Sequence, residues 1–255
     1  MQIITLTSDW GLTDHYAASV KGKIMAAVPG AGVVDISHTV KPFNLRQASY
    51  IIKNSYTDFP EGTIHILAVN TVHDGSQKNA VIFYRGHYFI GTDNGLLSLI
   101  FDKTPEIMRE LDPPETKGTF SSVEQMIETA RQIAGEKSLD KIGKPKDQLA
   151  KQLHFKPVVT DESIRGLVIY VDNYENVITN ITEDLFRENM KERNFKIECR
   201  SEQITEISNN YPDVPAGDIV AFFNRSGHLE IAINKGNASG LLGLQVDDPV
   251  SINFS

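Results

Sequence analysis

Over the first half of the chain, short apolar and β-branched runs alternate with segments whose apolar residues recur at helical spacing. Ile3, Ile4 and Leu6 begin a strand, and Tyr16, Val20 and Ile24 at four-residue spacing mark the helix that follows. Gly32 to Ile36 reads as a second strand. Pro42 to Tyr56 is helical, with Asn44 as N-cap and Leu45, Ala48, Ile51 and Ile52 on its apolar face. Thr63 to Val69 is a third, mostly apolar strand. After a polar loop, Asn70 to Asn79, the segments Ala80 to Tyr84 and Tyr88 to Gly91 flank Arg85-Gly86-His87 as a hairpin. Asp93-Asn94-Gly95 opens a helix through Leu96, Leu97, Leu99 and Ile100. Another helix spans Val123 to Ala134, with Ser121 or Ser122 as N-cap and Glu124 and Glu128 near its start.

The second half changes character. Gly166 to Val171, Val177 to Ile181, Phe195 to Cys199, Ile219 to Phe223, Leu229 to Ile233 and Val250 to Phe254 are short strands between turns, and only Glu183 to Glu192 looks helical. A polar segment, Gly135 to Lys156, separates the halves. The pattern predicts an α/β N-terminal domain (1–156) with a mixed, largely parallel sheet. A smaller all-β C-terminal domain (157–255) of barrel or sandwich type follows.

Composition narrows the functional classes. The chain has 255 residues, 40% hydrophobic and 23% charged, an ordinary globular balance. Its net charge of −8 argues against nucleic acid as a partner, because that affinity rests on neutralising phosphates. The single cysteine, Cys199, excludes an internal disulfide framework and a multi-cysteine metal site. It alternates with Ile197 in a strand and reads as a core position. No apolar run is long enough for a membrane helix and no basic leader opens the chain, so a cytoplasmic protein is expected.

Neither GxGxxG after the first strand nor GxxxxGK[ST] occurs, which disfavours nicotinamide and P-loop chemistry. His65 lies in an apolar strand and reads as a core residue. His38, beside Asp35, reads as a hydrogen-bonded turn. Polar clusters instead recur at strand ends: Ser8-Asp9, Asn70 to Gln77, Thr92 to Gly95 and Asp172 to Asn180. Open α/β sheets place ligands at the carboxyl ends of their strands, so Asp9 is either a site carboxylate or a helix cap. In DNYENVITN, Asp172, Asn173, Asn176 and Asn180 surround Tyr174. That set is either an Asn-rich turn or a nucleoside site, with the ring stacking on the base and an amide reading its edge.

Taken together, several stretches resemble the S-adenosylmethionine hydrolase/halogenase family, that is, the hydroxide adenosyltransferases and their fluorinase and chlorinase relatives. They are TSDWG with Asp14 and Lys21-Gly22, VVDISH followed by KPF, PEGTIHILAV, GTDNGLLS, GTFSS, YVDNYENVITNI, and FFNRSGHLEIAIN followed by GNAS. The resemblance implies a homotrimer whose ligand lies between the N domain of one subunit and the C domain of the next. By motif, Asp9 would hold the ribose hydroxyls and Phe43 would line the site. Asp172, Arg225 and Ser226 would take the methionine amino and carboxylate groups. Tyr174 would stack near the adenine, Asn176 would bond its edge, and the backbone from Ile233 to Lys235 would read its other edge. The implied chemistry is SN2 attack on ribose C5′ with methionine leaving. It needs no metal or cofactor, S-adenosylmethionine being the substrate.

The chain departs from the hydrolases at the positions their chemistry uses. Where they carry Asp, Arg and His, this chain has Asn70, Gln77 and Ser121. Ser122 matches the halide-contacting serine of the halogenases, yet the loop Asn70 to Lys78 lacks their tyrosine and threonine-rich run. Neutral side chains orient water without taking its proton, and a missing general base costs about 10²–10⁴ in rate. His73, in the same loop, is the candidate base, against the plainer reading of a solvated loop histidine. The expected function is hydrolysis of S-adenosylmethionine to adenosine and L-methionine. The alternatives are a catalytically silent binder of S-adenosylmethionine or adenosine, or a diverged adenosyltransferase using a halide or another nucleophile.

Overall fold

The chain was analysed as a computed structural model that describes residues 1–71, 77–114, 118–153 and 155–255. Met1–Leu153 forms one compact unit and the remainder a second. In chain order the first unit contains β1 (Ile3–Ser8), α1 (Tyr16–Ala27), β2 (Gly32–Ser37), α2 (Leu45–Lys53), β3 (Ile64–Ala68), β4 (Asn79–Tyr84), β5 (His87–Thr92), α3 (Leu96–Ile100), β6 (Ile107–Glu110), α4 (Ser121–Glu136) and β7 (Lys144–Pro145).

Among the described residues these strands form a seven-stranded sheet in the order β2-β1-β3-β5-β4-β6-β7. Three of its six pairings are parallel, β2-β1, β1-β3 and β3-β5, and three are antiparallel. The sheet is mixed as expected, but it is parallel over one half only. The cause lies in the Arg85-Gly86 turn, where both residues have positive φ (48° and 80°). A two-residue turn of that hand joins antiparallel strands, and the strands added beyond it keep that sense. Successive residues of each strand face opposite sides, so two cores form. Ile4, Leu6, Ile64 and Ile66 pack under α1 and α4, while Leu67, Ile82 and Phe89 pack under α2 and α3.

The α4 cap differs from expectation. The helix begins at Ser121 with Phe120 as N-cap, because the Ser121 hydroxyl donates back to the Gly118 carbonyl (2.9 Å) instead of capping forward. The short strands β6 and β7 carry no alternation to announce them. They form because Arg109 donates to the carbonyls of Leu139 and Ile142, whose side chains are buried.

The second unit contains β8 (Val158–Val159), β9 (Ser163–Val171), β10 (Val177–Thr182), α5 (Glu183–Met190), β11 (Phe195–Cys199), β12 (Glu202–Ile204), β13 (Ile219–Phe223), β14 (His228–Ile233), α6 (Ala238–Leu242) and β15 (Pro249–Phe254). All pairings are antiparallel, along the path β12-β11-β15-β9-β10-β14-β13 with β8 beside β9. The two end strands, β12 and β13, approach each other, so the sheet curls towards a barrel. Helix α5 stops at Met190 because Lys191 turns left-handed (φ 45°). Cys199 is buried, and that burial together with Glu202 pushes its thiol up to about 11, which makes it a core residue rather than a nucleophile. Among the described residues, no helix is long and apolar enough to cross a membrane.

Candidate functional site

The chain leaves β1 for β2 on one side, then crosses back so that β3 lies on the other side of β1. Such a reversal opens a crevice at the carboxyl ends of the two strands. Asp9 follows β1 directly and Asn70 lies just past β3. Asp9 Oδ2 accepts the backbone N–H of Phe43 (3.0 Å) and that of Asn70 (3.1 Å). Both donors sit in the left-handed region, Phe43 at φ 66° and Asn70 at φ 52°. Asn visits that region readily. A phenylalanine there costs about 1–2 kcal/mol, a strain maintained here beside the carboxylate. Phe43 is also 65% exposed, a large apolar ring turned outward. Asp9 caps neither end of α1, whose N-cap is His15 without a side-chain hydrogen bond.

A buried histidine braces the turn that carries Asp9. His38 Nδ1 lies 2.6 Å from Ser8 Oγ, and the His38 carbonyl accepts the Gly11 N–H (2.7 Å). His38 Nε2 approaches Asp35 Oδ1 at 3.0 Å, and Lys21 pairs with the same carboxylate at 2.9 Å. Partial burial pushes the Asp35 carboxyl up. Lys21 and His38 more than offset this and hold it below its ordinary range. The hydrogen-bonded turn expected at His38 is thus tied to the strand end bearing Asp9.

Above Asp9 opens a cavity of about 670 Å³, lined by Trp10, His15, Tyr16, Lys23, Phe43 and Asn70 among others. Trp10 stacks on His38 (centroids 6.1 Å apart) and tilts against Phe120 (5.6 Å), which in turn stacks on Tyr16 (5.4 Å). These rings give the cavity an aromatic wall. Lys23, at its rim, pairs with Glu124.

Of the expected residues of this unit, the cavity brings together Asp9, Phe43 and Asn70. Gln77, Ser121 and Ser122 are not in its lining. The α4 side of the wall is made by Thr119, Phe120 and Val123. Ser121 and Ser122 are buried behind it, and the Ser122 carbonyl accepts from Asn79 Nδ2 (2.9 Å). His73 lies outside the described residues. The GTDNG cluster is a brace: Asn94 Nδ2 donates to the carbonyls of Val69 (3.0 Å) and Asn70 (3.1 Å), fixing the chain after β3.

In the second unit a polar chain connects the two expected ligand segments. Asp172 Oδ1 accepts the N–H of Tyr174 (2.9 Å) and of Asn176 (2.8 Å), and its Oδ2 accepts Asn176 Nδ2 (3.0 Å). Asn176 Nδ2 also reaches the Tyr211 hydroxyl (3.3 Å), which donates to Glu230 Oε1 (2.6 Å). Asn224 Nδ2 donates to Glu230 Oε2 (3.0 Å), and Asn224 Oδ1 accepts both the N–H and the hydroxyl of Ser226 (3.0 and 2.7 Å). Arg225 is exposed on the same turn. Tyr174 is 78% exposed, free to offer its ring face. Ile233 is buried at the end of β14, and Lys235 follows in the left-handed region with φ 57°.

Sequence reasoning missed Tyr211 and Glu230 here, and Trp10, His15, Tyr16 and Lys23 at the cavity. For Glu230 a signal was available: it is a carboxylate inside the apolar run LEIAI. Burial and the Glu230 carboxylate push the Tyr211 phenol well above its ordinary range, so it stays a neutral donor.

Comparison with known proteins agrees over nearly the whole chain. The family model of the SAM hydroxide adenosyltransferase N-terminal domain matches residues 4–143, and that of the C-terminal domain matches residues 166–251. A Thermus thermophilus protein named (R)-S-adenosyl-L-methionine hydrolase is 27% identical over 270 residues, covering 99% of this chain and 100% of that one. A fluorinase of an Actinoplanes species is 23% identical, with 91% of each chain covered. The crystal structure of an uncharacterized conserved protein from Thermotoga maritima superposes with a TM-score of 0.88 at 28% identity, covering 99% of this chain and 100% of that one. With both halves matched in order, this chain belongs to the SAM hydroxide adenosyltransferase family.

Proposed function

We propose that the protein hydrolyses S-adenosyl-L-methionine to adenosine and L-methionine. The observation that carries this reading is Asp9, anchored in the strand-switch cavity by two left-handed backbone donors, one of them the strained Phe43. A carboxylate so held is ready to accept hydrogen bonds from two vicinal ribose hydroxyls without further reorganisation. The wall of Trp10, Tyr16 and Phe120 offers ring faces that suit a sulfonium cation. In the second unit, Tyr174 would stack on the adenine and Asn176 would bond its edge. The backbone from Ile233 to Lys235 would read the other edge. Asp172, Arg225 and Ser226 would hold the amino-acid end.

In the reaction, a water oxygen bonds to C5′ as the C5′–S bond breaks. The bonding pair moves onto sulfur, which becomes the neutral thioether of methionine, and the proton lost by the water passes to solvent, with His73 as the candidate base that would take it first. The leaving group needs no acid, so the protein's task is to place water in line and exclude the rest of the solvent. Asn70, which lines the cavity, would orient that water, and Gln77, Ser121, Ser122 and His73 are the further candidates that the sequence offers. Phe43 would close over the ribose. We place the site in a cytoplasmic homotrimer, each ligand shared between subunits. The outward-turned Phe43 and Tyr174 support that assembly, since both rings lie open in the single chain.

The test is incubation of the purified protein with S-adenosylmethionine in chloride and fluoride buffers, with separation of adenosine, methionine and 5′-halo-adenosine. Adenosine and methionine formed in equal amounts well above the blank support hydrolysis. A 5′-halo product points to a halide nucleophile. A silent binder is the second reading, favoured by the neutral residues Asn70, Thr71 and Thr119 around the cavity. It predicts calorimetric binding with no product.

A further inference from the structure

Asn176 is 4% exposed, and both hydrogens of its side-chain amide are spent inward. One is given to Asp172 Oδ2 at 3.0 Å and the other to the Tyr211 hydroxyl at 3.3 Å. The direction of this amide is chemically determined. A carboxylate only accepts, so the nitrogen faces Asp172. Tyr211 accepts from Asn176 because its own proton is committed to Glu230 at 2.6 Å. Glu230, 5% exposed, completes its acceptor role with Asn224 Nδ2 at 3.0 Å. Two carboxylates, one acting directly and one through a phenol, therefore turn the same amide the same way. Asn176 Oδ1 accepts no hydrogen bond from the described residues.

We propose that Glu230 and Tyr211 are positioning residues that set base specificity, by holding Asn176 so that a ligand meets its carbonyl oxygen and never its NH₂. The inference rests on the nucleoside reading above, in which Asn176 bonds the edge of the base. A carbonyl presented alone selects a base carrying an exocyclic amino group, a donor. It rejects a 6-oxo purine, whose oxygen would face another oxygen with neither hydrogen between them. The relay thus converts a pliable amide into a one-way acceptor, and the selected class is 6-aminopurine nucleosides and their 5′-sulfonium derivatives.

Calorimetric titration of the full-length protein with adenosine, purine riboside and inosine provides the test. Wild type is expected to bind adenosine at least about tenfold more tightly than inosine, with purine riboside between them. Glu230→Gln lets the relay run backwards, and Tyr211→Phe removes its middle member. Each is expected to cut the adenosine-to-inosine ratio by about fivefold, with no further loss when the two are combined. A purely structural role would weaken both nucleosides together and leave the ratio unchanged. If both variants bind adenosine and keep the wild-type ratio, the relay does not set specificity. If the wild-type protein binds none of the three nucleosides, the nucleoside reading itself fails and takes the relay with it.

Discussion

Asp9 and Asn70 meet across the ends of two neighbouring parallel strands, the Asn70 N–H donating to Asp9 Oδ2 at 3.1 Å. The bond ties the last turn of β1 to the chain leaving β3, and Phe43 closes it from a third side at 3.0 Å. One carboxylate oxygen thereby organises three connecting segments.

Substitution at Asp9 separates these roles. Asp9→Ala leaves two backbone donors without their acceptor, and the fold is expected to lose about 1–3 kcal/mol in urea unfolding. Asp9→Asn keeps one carbonyl oxygen, so stability should stay closer to wild type. Both variants should bind adenosine at least about tenfold more weakly, since hydrogen bonds to charged groups are the stronger ones. Unchanged affinity in both would remove Asp9 from the ligand site.

Trp10 is the chain's one tryptophan and lines the cavity between His38 and Phe120. Its emission is therefore a local reporter. Adenosine should change it saturably, with the same midpoint as the calorimetric titration. Heat that saturates while the emission stays flat would locate the ligand elsewhere.

Restoring a carboxylate should raise turnover if the missing base limits the reaction. Asn70 is the place to do it, because its left-handed backbone suits Asp as well as Asn. Asn70→Asp is expected to release adenosine at least about tenfold faster, the lower end of what a general base contributes. An unchanged rate, with adenosine binding intact, would show that proton removal is not the slow step.

Stability should fall in mild acid through a pair of core histidines. Thr5 Oγ1 lies 2.8 Å from His65 Nδ1, and His65 Nε2 lies 3.2 Å from His87 Nδ1. Burial, and secondarily the neighbouring His87, lower the His65 pKa to about 3, and burial lowers that of His87 as well. Below the ordinary histidine pKa of about 6.5, the unfolded chain binds protons that the folded chain refuses. The contribution is complete above that pH and is lost as pH falls towards 3, by about 1.4 kcal/mol per unit for each histidine affected. Urea midpoints at pH 7, 6 and 5 should decline accordingly, and more gently in His65→Leu. Parallel slopes in the two proteins would rule His65 out as the source.

Much of this protein is written locally. The apolar runs at Ile3, Gly32 and Thr63 became strands, and Asn44 caps α2 by accepting the Gln47 N–H. These features depend on a few neighbouring residues, and the same is true of the Asp172 turn, whose bonds span no more than four positions. Elements without a local pattern were not legible. β6 and β7 exist because Arg109 reaches the carbonyls of Leu139 and Ile142.

The sequence by itself determined the two-part layout, the strand-end clusters and the motifs that carry the family, because hydrophobic period and turn chemistry act over short distances. Tertiary structure decided what those clusters face. Asp9 could have been a helix cap until Phe43, 34 residues on, and Asn70, 61 residues on, were seen donating to it. Tyr211 and Glu230 gained a role only when folding brought them to Asn176, 35 positions from Tyr211 in the chain. The physical reason is the same in both cases. A carboxylate's partners depend on which donors the sheet order delivers, and sheet order is set by the packing of the whole unit rather than by any stretch of it.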